Sequence, residues 1–174
     1  MVVIEIRELS VPQLDLAAGI DVTEAGWTVL EQHGTAVVSH PEEWHRPPRS
    51  PERWREFEDR WRAFVPSSGC AIGAFDGARL VGIATLRRGV RPGVDQLEAL
   101  FVDRAHRRHG IAAALVARIE AEARAGGARR LYVSATPSES AVGLYSSRGF
   151  GPTADPIPEL LALEPEDVHM TLEL

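Results

Sequence analysis

Residues 99–150, ALFVDRAHRRHGIAAALVARIEAEARAGGARRLYVSATPSESAVGLYSSRGF, decide how this chain folds. They begin at the end of VDQLEALFV (94–102), a segment apolar on both faces and therefore a central strand of a sheet. From Gly110 the spacing turns helical. Ile111, Ala112, Leu115, Val116 and Ile119 share a face, Arg118 and Glu122 point away, and Gly126-Gly127 stops the helix. RRLYVSAT (129–136) is the next buried strand. SESAVGLYSSRGF (138–150) is a short helix with Ser138 as its cap and Glu139 in its first turn.

The junction HRRHGIA (106–112) carries a chemical consequence. A strand that passes through a glycine into a helix makes an anion site out of backbone, because the first four N–H groups of a helix lack internal partners and point the same way. Gly110, having no Cβ, permits a tight turn and lets an anion come close. Arg107 and Arg108 are placed to add charge-assisted hydrogen bonds to phosphate oxygens at the rim. Two other readings stand beside this one: an arginine-rich loop that is merely solvated, and a nucleic-acid patch, which would show salt-sensitive DNA or RNA binding. The spacing is not G-x-G-x-x-G, since Gly110 stands alone. The chain contains no lysine, which excludes a P-loop and Schiff-base chemistry alike.

Working outward, GCAIGAFDGARLVGIATLRRG (69–89) holds two apolar strands around Asp76-Gly77, a tight hairpin, and RGVRPG (88–93) reads as a loop. Ser50 and Pro51 start a helix, PERWREFEDRWRAF (51–64), in which Trp54, Phe57, Trp61 and Phe64 recur every three or four residues. Such a stripe packs a core, with a pocket-lining ring as the alternative. Val2 to Leu9 alternates like a strand, and the stretch to about His45 is expected to be helical in part, with AGWTVLEQHG (25–34) ending at a capping Gly34. VHMTLEL (168–174) closes the chain as a strand. The order of elements gives a mixed sheet flanked by helices.

Composition narrows the function. With 174 residues, 44% of them hydrophobic, the chain can form one domain, 1–174, with a self-sufficient core. Cys70 is the single cysteine and no Cys/His pair has zinc-finger spacing, so a small core thiol, a reducing compartment and no metal are expected. The N-terminus lacks the basic start and apolar core of a signal peptide, and no run is long enough to span a bilayer. A cytoplasmic protein with no membrane partner follows. The net charge of −6 argues against nucleic acid as the main partner. Residues 1–48 hold eight acids against Arg7 and Arg46, and residues 151–174 hold six acids and no arginine.

Together these features resemble the core of the GNAT superfamily of acyl-CoA-dependent N-acyltransferases. In that family a central strand ends in a valine and a loop with the pattern Arg/Gln-x-x-Gly-x-Gly/Ala leads into a helix. Here Val102 and Arg107, Arg108, His109, Gly110, Ile111 and Ala112 match. Downstream, the family's Asn-x-x-Ala-x-x-Leu-Tyr helix and Gly-Phe ending correspond to Ser138, Ala141, Leu144, Tyr145, Gly149 and Phe150. The likeness covers residues 69–150 well and 1–65 loosely. It departs at Arg104, where a proline is usual, and at Ser138, where asparagine is usual.

The resemblance implies an α/β fold with a mixed, mostly antiparallel central sheet and helices on both faces. Residues 1–65 form the variable acceptor side, 66–150 the cofactor core, and 151–174 the last strand region. It implies acetyl transfer from acetyl-CoA to a primary amine of a small molecule or peptide by direct attack in a ternary complex; a non-catalytic acyl-CoA-binding module is the alternative. The pyrophosphate falls to the amides from Arg107 to Ala112 and pantetheine to the strand at Phe101 and Val102, with Ser138 and Ala141 nearby. Tyr145 takes the general-acid position, its other reading being a ring that packs and bonds a carbonyl. Glu98 is a base candidate if burial raises its pKa, or else an ion-pair partner of Arg87, Arg88 or Arg91. Gln96 occupies a common place for the base, and Asp95 and His169 are further candidates. Acids of the N-terminal third, Glu42 and Glu43 among them, would draw in a cationic amine. Dimers being common in the family, a homodimer is also implied.

Overall fold

A computed structural model describes residues 3–174. Chain order runs β1 (Ile4–Glu8), a 3-10 stretch (Val11–Gly19), β2 (Glu24–His33), β3 (Ala36–Arg46), α1 (Pro51–Ser68), β4 (Gly69–Asp76), β5 (Arg79–Arg91), β6 (Val94–Val102), a 3-10 turn (Arg104–His106), α2 (Ile111–Ala125), β7 (Arg130–Ala135), α3 (Glu139–Ser147), β8 (Gly151–Pro152), α4 (Pro158–Leu163) and β9 (Val168–Glu173). Seven strands form one sheet in the order β1-β4-β5-β6-β7-β9-β8, antiparallel except where β6 meets β7.

Strand periodicity covers both faces of this sheet. On β4, Cys70, Ile72 and Ala74 join Leu115, Val116 and Ile119 of α2, while Ala71 and Phe75 join Trp54, Trp61 and Phe64 of α1. The aromatic spacing of α1 is thus mostly core. Ser50 caps this helix, its hydroxyl accepting from Arg53 N–H at 3.2 Å.

Several sequence expectations need correction. Residues 25–34 form strand, not helix: β2 pairs along its length with β3, and Gly34 (φ +64) sits in the turn between His33 and Ala36. Thr28, Val29, Val37 and Val38 are β-branched, and the ladder they favour prevails over an apparent helical spacing. The 88–93 loop shrinks to Pro92-Gly93, because β5 continues as an irregular edge to Arg91, which pairs with Val94. The β4–β5 turn lies one residue later than expected, at Gly77-Ala78. The first strand begins at Ile4; Val2 lies outside the described residues.

What positions the site is the break between β6 and β7. These parallel strands pair only from Val94 to Gln96 against Arg130 to Tyr132. Just beyond, Thr85 of β5 faces Ala99 while Leu86 faces Leu97, so Glu98 is the extra residue of a bulge. A bulge bends its strand and increases its twist, which turns the rest of β6 away from β7. The sheet splits there, and the inner edge of β6 is left open.

Candidate active site

A cleft of about 330 Å³ fills the split, with β6 from Leu97 to Val102 on one side and Val133 and Ser134 of β7 on the other. Phe101 and Val102 both line it. The exposed edge of a strand offers alternating N–H and C=O groups to an extended ligand, a mode that tolerates varied side chains.

At the end of β6 the chain enters the anion junction, and one buried carboxylate holds that turn. Asp103, 1% exposed, accepts from the amides of Asp21 and Ala105 (both 3.1 Å), from Arg79 (2.7 Å) and from His106 Nδ1 (3.1 Å). Burial opposes its charge, but the Asp21 amide, His106, the Ala105 amide and Arg79 outweigh burial and keep the carboxyl below its usual range. Its bond in turn raises the His106 imidazole against the effect of burial, with Asp76 adding to the rise. Arg107 turns inward: Nε donates to Val102 O at 3.2 Å and a terminal nitrogen to Thr23 O at 2.9 Å. Its guanidinium is a strut between β6 and the segment leading into β2, and it also lines the groove described below. Arg108 (φ +63) and Gly110 (φ +78) are both left-handed, and Arg108 and His109 are exposed.

Gly110 caps α2 without a side chain. Ala114 N–H is the first of the helix to reach a carbonyl, Gly110 O at 3.0 Å, so the amides of Ile111, Ala112 and Ala113 are its orphan donors. A Cβ at Gly110 would meet no protein atom within 4 Å; it would project into open space at a φ that side chains resist. Gly110 itself lines a second cleft of about 740 Å³, together with Arg108, Ala113, Thr23 and His45. Both clefts are lined by Glu24, Val102, Arg107, Ala112, Ser140 and Leu144, which makes them one continuous groove.

Tyr145 projects from α3 into the first cleft, buried edge-on to Phe150 with ring centroids 5.4 Å apart. Its hydroxyl bonds to no described residue. Burial first, then the nearby Asp167, pushes its phenol well above the ordinary tyrosine range, so it holds its proton at neutral pH. The backbone-carbonyl alternative for this tyrosine is absent. Ser138 caps α3, its Oγ accepting from Ala141 N–H at 3.2 Å, and both residues line the cleft.

Glu98 reaches the cleft with its carboxylate fully engaged. Oε2 accepts from Trp61 Nε1 (2.8 Å) and Thr85 Oγ1 (2.9 Å), and Oε1 lies 2.6 Å from Arg60 Nε in an ion pair whose N–H is not aligned for a hydrogen bond. The expected ion pair exists, but its arginine comes from α1. Arg88 instead pairs with Asp95 at 3.5 Å, and Arg91 with Glu159. Asp95 also accepts from Gly89 N–H, so it secures the β5–β6 connection. His169 is spent on both sides: Nε2 donates to Glu164 O at 3.0 Å, and Nδ1 accepts from Tyr132 OH at 2.7 Å. Gln96 is buried and lines neither cleft.

Carboxylates perturbed by burial do line the cleft, at positions that sequence reasoning missed. Asp167 is pushed up to about 7, by burial first and by Glu164 next, with Arg46 opposing. Glu164 is raised by burial against the pull of the Ser134 hydroxyl, with Glu98 adding to the rise. Both sit between α4 and β9, where no motif marks them. Of the eight N-terminal acids, Glu24 alone lines the cleft, bound to Arg46 (3.3 Å) and to Ser140 Oγ (2.7 Å); Glu31 and Glu42 line an adjoining depression that shares Asp167 with it. Arg46, Arg49 and Arg53 occupy the wall where acids were expected. Among the described residues no group of three His, Cys, Asp or Glu side chains is placed to hold a metal ion, and no helix is long and apolar enough to cross a membrane.

A split sheet whose open strand runs into the bare N-terminus of a helix, beside a buried tyrosine, defines a groove for an extended ligand with an anionic end. Residues 34–150 match the profile of the Acetyltransferase (GNAT) family, and the chain belongs to that family. No curated protein sequence matches it. Solved structures overlie it almost end to end: a nourseothricin acetyltransferase (TM-score 0.73, 16% identity, 98% of this chain and 98% of that chain), a Bacillus anthracis str. Ames protein in complex with acetyl coenzyme A (0.73, 15%, 99% and 98%), and the PaiA N-acetyltransferase of Thermoplasma acidophilum in complex with coenzyme A (0.63, 14%, 99% and 99%). At these identities the likeness is one of fold.

Proposed function

We propose that this protein transfers an acetyl group from acetyl-CoA to a primary amine by direct attack within a ternary complex. One observation carries the reading: a single groove joins orphan helix amides at one end to a protonated, unpartnered phenol and a carboxyl poised near neutrality at the other. The groove suits the donor. The amides of Ile111 to Ala113 would take its diphosphate, the open edge of β6 its pantetheine amides, and Ser138 and Ala141 the opposite side. Acetyl-CoA supplies the activated thioester.

The chain's own residues manage protons. An amine arrives as ammonium, and Asp167, with Glu164 beside it, accepts the proton that must leave before nitrogen can attack. As the C–N bond forms and the C–S bond breaks, Tyr145 donates its phenolic proton to the departing sulfur and recovers one from the new amide nitrogen's side. The products are an acetamide, free coenzyme A thiol and one released proton. Glu98, already bound by three groups, positions the bulge rather than acting as base. Residues before α1 and its first turns form the acceptor wall. Cys70 takes no part: it is buried, and burial first, then Glu122, pushes its thiol up to about 11. A buried reduced thiol accords with a cytoplasmic setting.

Calorimetry with coenzyme A, followed by thiol release from acetyl-CoA over a panel of amines, tests this reading. Saturable binding and amine-dependent release are expected. Binding without release on any amine would make the protein a sensor with the same fold, and no heat up to millimolar coenzyme A would end the proposal.

A further inference from the structure

The acceptor wall contains a cation with no counter-charge. Arg49 lies just before α1, its guanidinium carbon 4.8 Å from the ring centre of Trp54 and 4.4 Å from those of Phe57 and Phe101. One of its terminal nitrogens is buried and donates to nothing. Neighbouring arginines are matched: Arg46 by Glu24, Arg53 by Glu56 and Arg60 by Glu98. Arg49 forms no ion pair with any described residue, although it lines the first cleft. Rings that stack on a guanidinium hold its plane and leave its N–H edge as the only route to an acceptor. A buried donor on a charged group is costly to leave unmade, and a carboxylate is its natural complement because two parallel N–H bonds fit its oxygens.

We infer that the acceptor is an amino-carboxylate, an amino acid or a peptide whose carboxylate is received by Arg49 while its amine faces Asp167 and Glu164. This deepens, and rests on, the acetyl-transfer reading. The cation is not a second diphosphate anchor: Arg49 lines only the first cleft, whereas Arg108, Gly110 and Ala113 line only the second. Burial first, then Arg46, Arg53 and Arg60, lower its guanidinium to about 10, which leaves it charged at neutral pH and repelled by each nearby cation. An anion between them relieves that repulsion. A cationic acceptor without an anionic group would add to it.

The test compares amino acids and dipeptides with their carboxamides, which keep the amine and remove the charge. Coenzyme-A-loaded protein is followed by thermal shift, and thiol release is measured with acetyl-CoA. At least one carboxylate should raise the melting temperature more than its amide does and be acetylated with kcat/KM at least tenfold higher. Arg49→Gln should erase that preference with less than a twofold change in KM for acetyl-CoA, and Arg49→Lys, which keeps charge but not the fork, should retain part of it. The inference is overturned if no carboxylate outperforms its amide in either assay on the wild-type protein. It is equally overturned if Arg49→Gln raises KM for acetyl-CoA tenfold and spares the preference. Acetylation of amides or polyamines alone would reject the amino-carboxylate and leave acetyl transfer standing, whereas loss of all thiol release with carboxylate-specific thermal shifts would do the reverse.

Discussion

The two ends of the groove are built by opposite means. At the α2 end, the proposed diphosphate site is made of backbone: orphan amides of Ile111 to Ala113, a left-handed Gly110, and side chains that serve mainly as braces, as Arg107 and Asp103 do. The proposed acceptor end is made of side chains that converge from separate segments: Glu24 and Arg46 of the β2–β3 hairpin, Arg49 and Phe57 around the start of α1, and Glu164 and Asp167 before β9. A backbone site depends on local conformation and so is written in a short run of residues. A convergent site depends on tertiary packing, and no short run contains it.

Substitution at the backbone end should give the largest effect. Gly110→Val places a branched side chain in the groove at φ +78, so coenzyme A binding should disappear from calorimetry, a loss of two orders of magnitude or more, in a chain that still folds by circular dichroism. The left-handed strain itself costs only about 1–2 kcal/mol. Arg108→Ala removes an exposed side chain and should weaken binding only a few-fold. Equal losses from both variants would erase the distinction between the two ends.

Tyr145→Phe comes next. The hydroxyl has no protein partner to lose, so stability and coenzyme A affinity should hold while kcat falls by about 10²–10³, within the range for a general acid. Stopped-flow or steady-state thiol release reads this directly; unchanged kcat would return Tyr145 to a packing role.

At the acceptor end, kcat/KM should rise as pH increases through about 7, because Asp167 must lose its proton to accept one. Asp167→Asn should remove that limb and lower kcat/KM by roughly 10–100-fold. Stability moves the other way. The folded pKa lies above the unfolded one, so the folded state binds more protons between the ordinary carboxylate value of 3.8 and about 7, and this group's contribution falls as pH climbs through that window. Asparagine should therefore stabilise the protein by about 1–3 kcal/mol at pH 8 and by little at pH 4. Glu98→Gln is the contrast: it strips Arg60 of its partner and should cost about 2 kcal/mol while the pH limb stays. If Glu98→Gln removes the limb and Asp167→Asn does not, the base assignment is reversed.

The same division governs what could be read beforehand. The strand at 94–102, the helix from Gly110 and the cap at Ser138 follow local pattern, and the structure places each where that pattern implies, whereas Tyr145 stands out only through the family resemblance. Residues 25–34 were misleading because an eleven-residue neighbour, β3, supplies the ladder that decides their conformation. Arg107 was legible as a cation but not as a strut, since its carbonyl partner at Thr23 is 84 residues away. Glu164 and Asp167 carry no signal at all: an acid in an acidic tail reads as surface until a fold buries it.

The smallest expected effect asks whether Ser138 belongs to either end. Its hydroxyl caps α3 and meets Ser140 Oγ at 3.1 Å, and Ser140 in turn holds Glu24, so it links α3 to Glu24 of the proposed acceptor wall through two hydrogen bonds. Ser138→Ala should cost about 1 kcal/mol as a lost cap, a drop of some 2–4 °C for a protein of this size. Ser138→Asn restores an equivalent cap and should recover the melting temperature. If Ser138 serves only α3, both variants keep their KM values for donor and acceptor. If the link matters, Ser138→Ala raises the acceptor KM by releasing Ser140 and Glu24, and the asparagine variant, stable but differently shaped, does not rescue it.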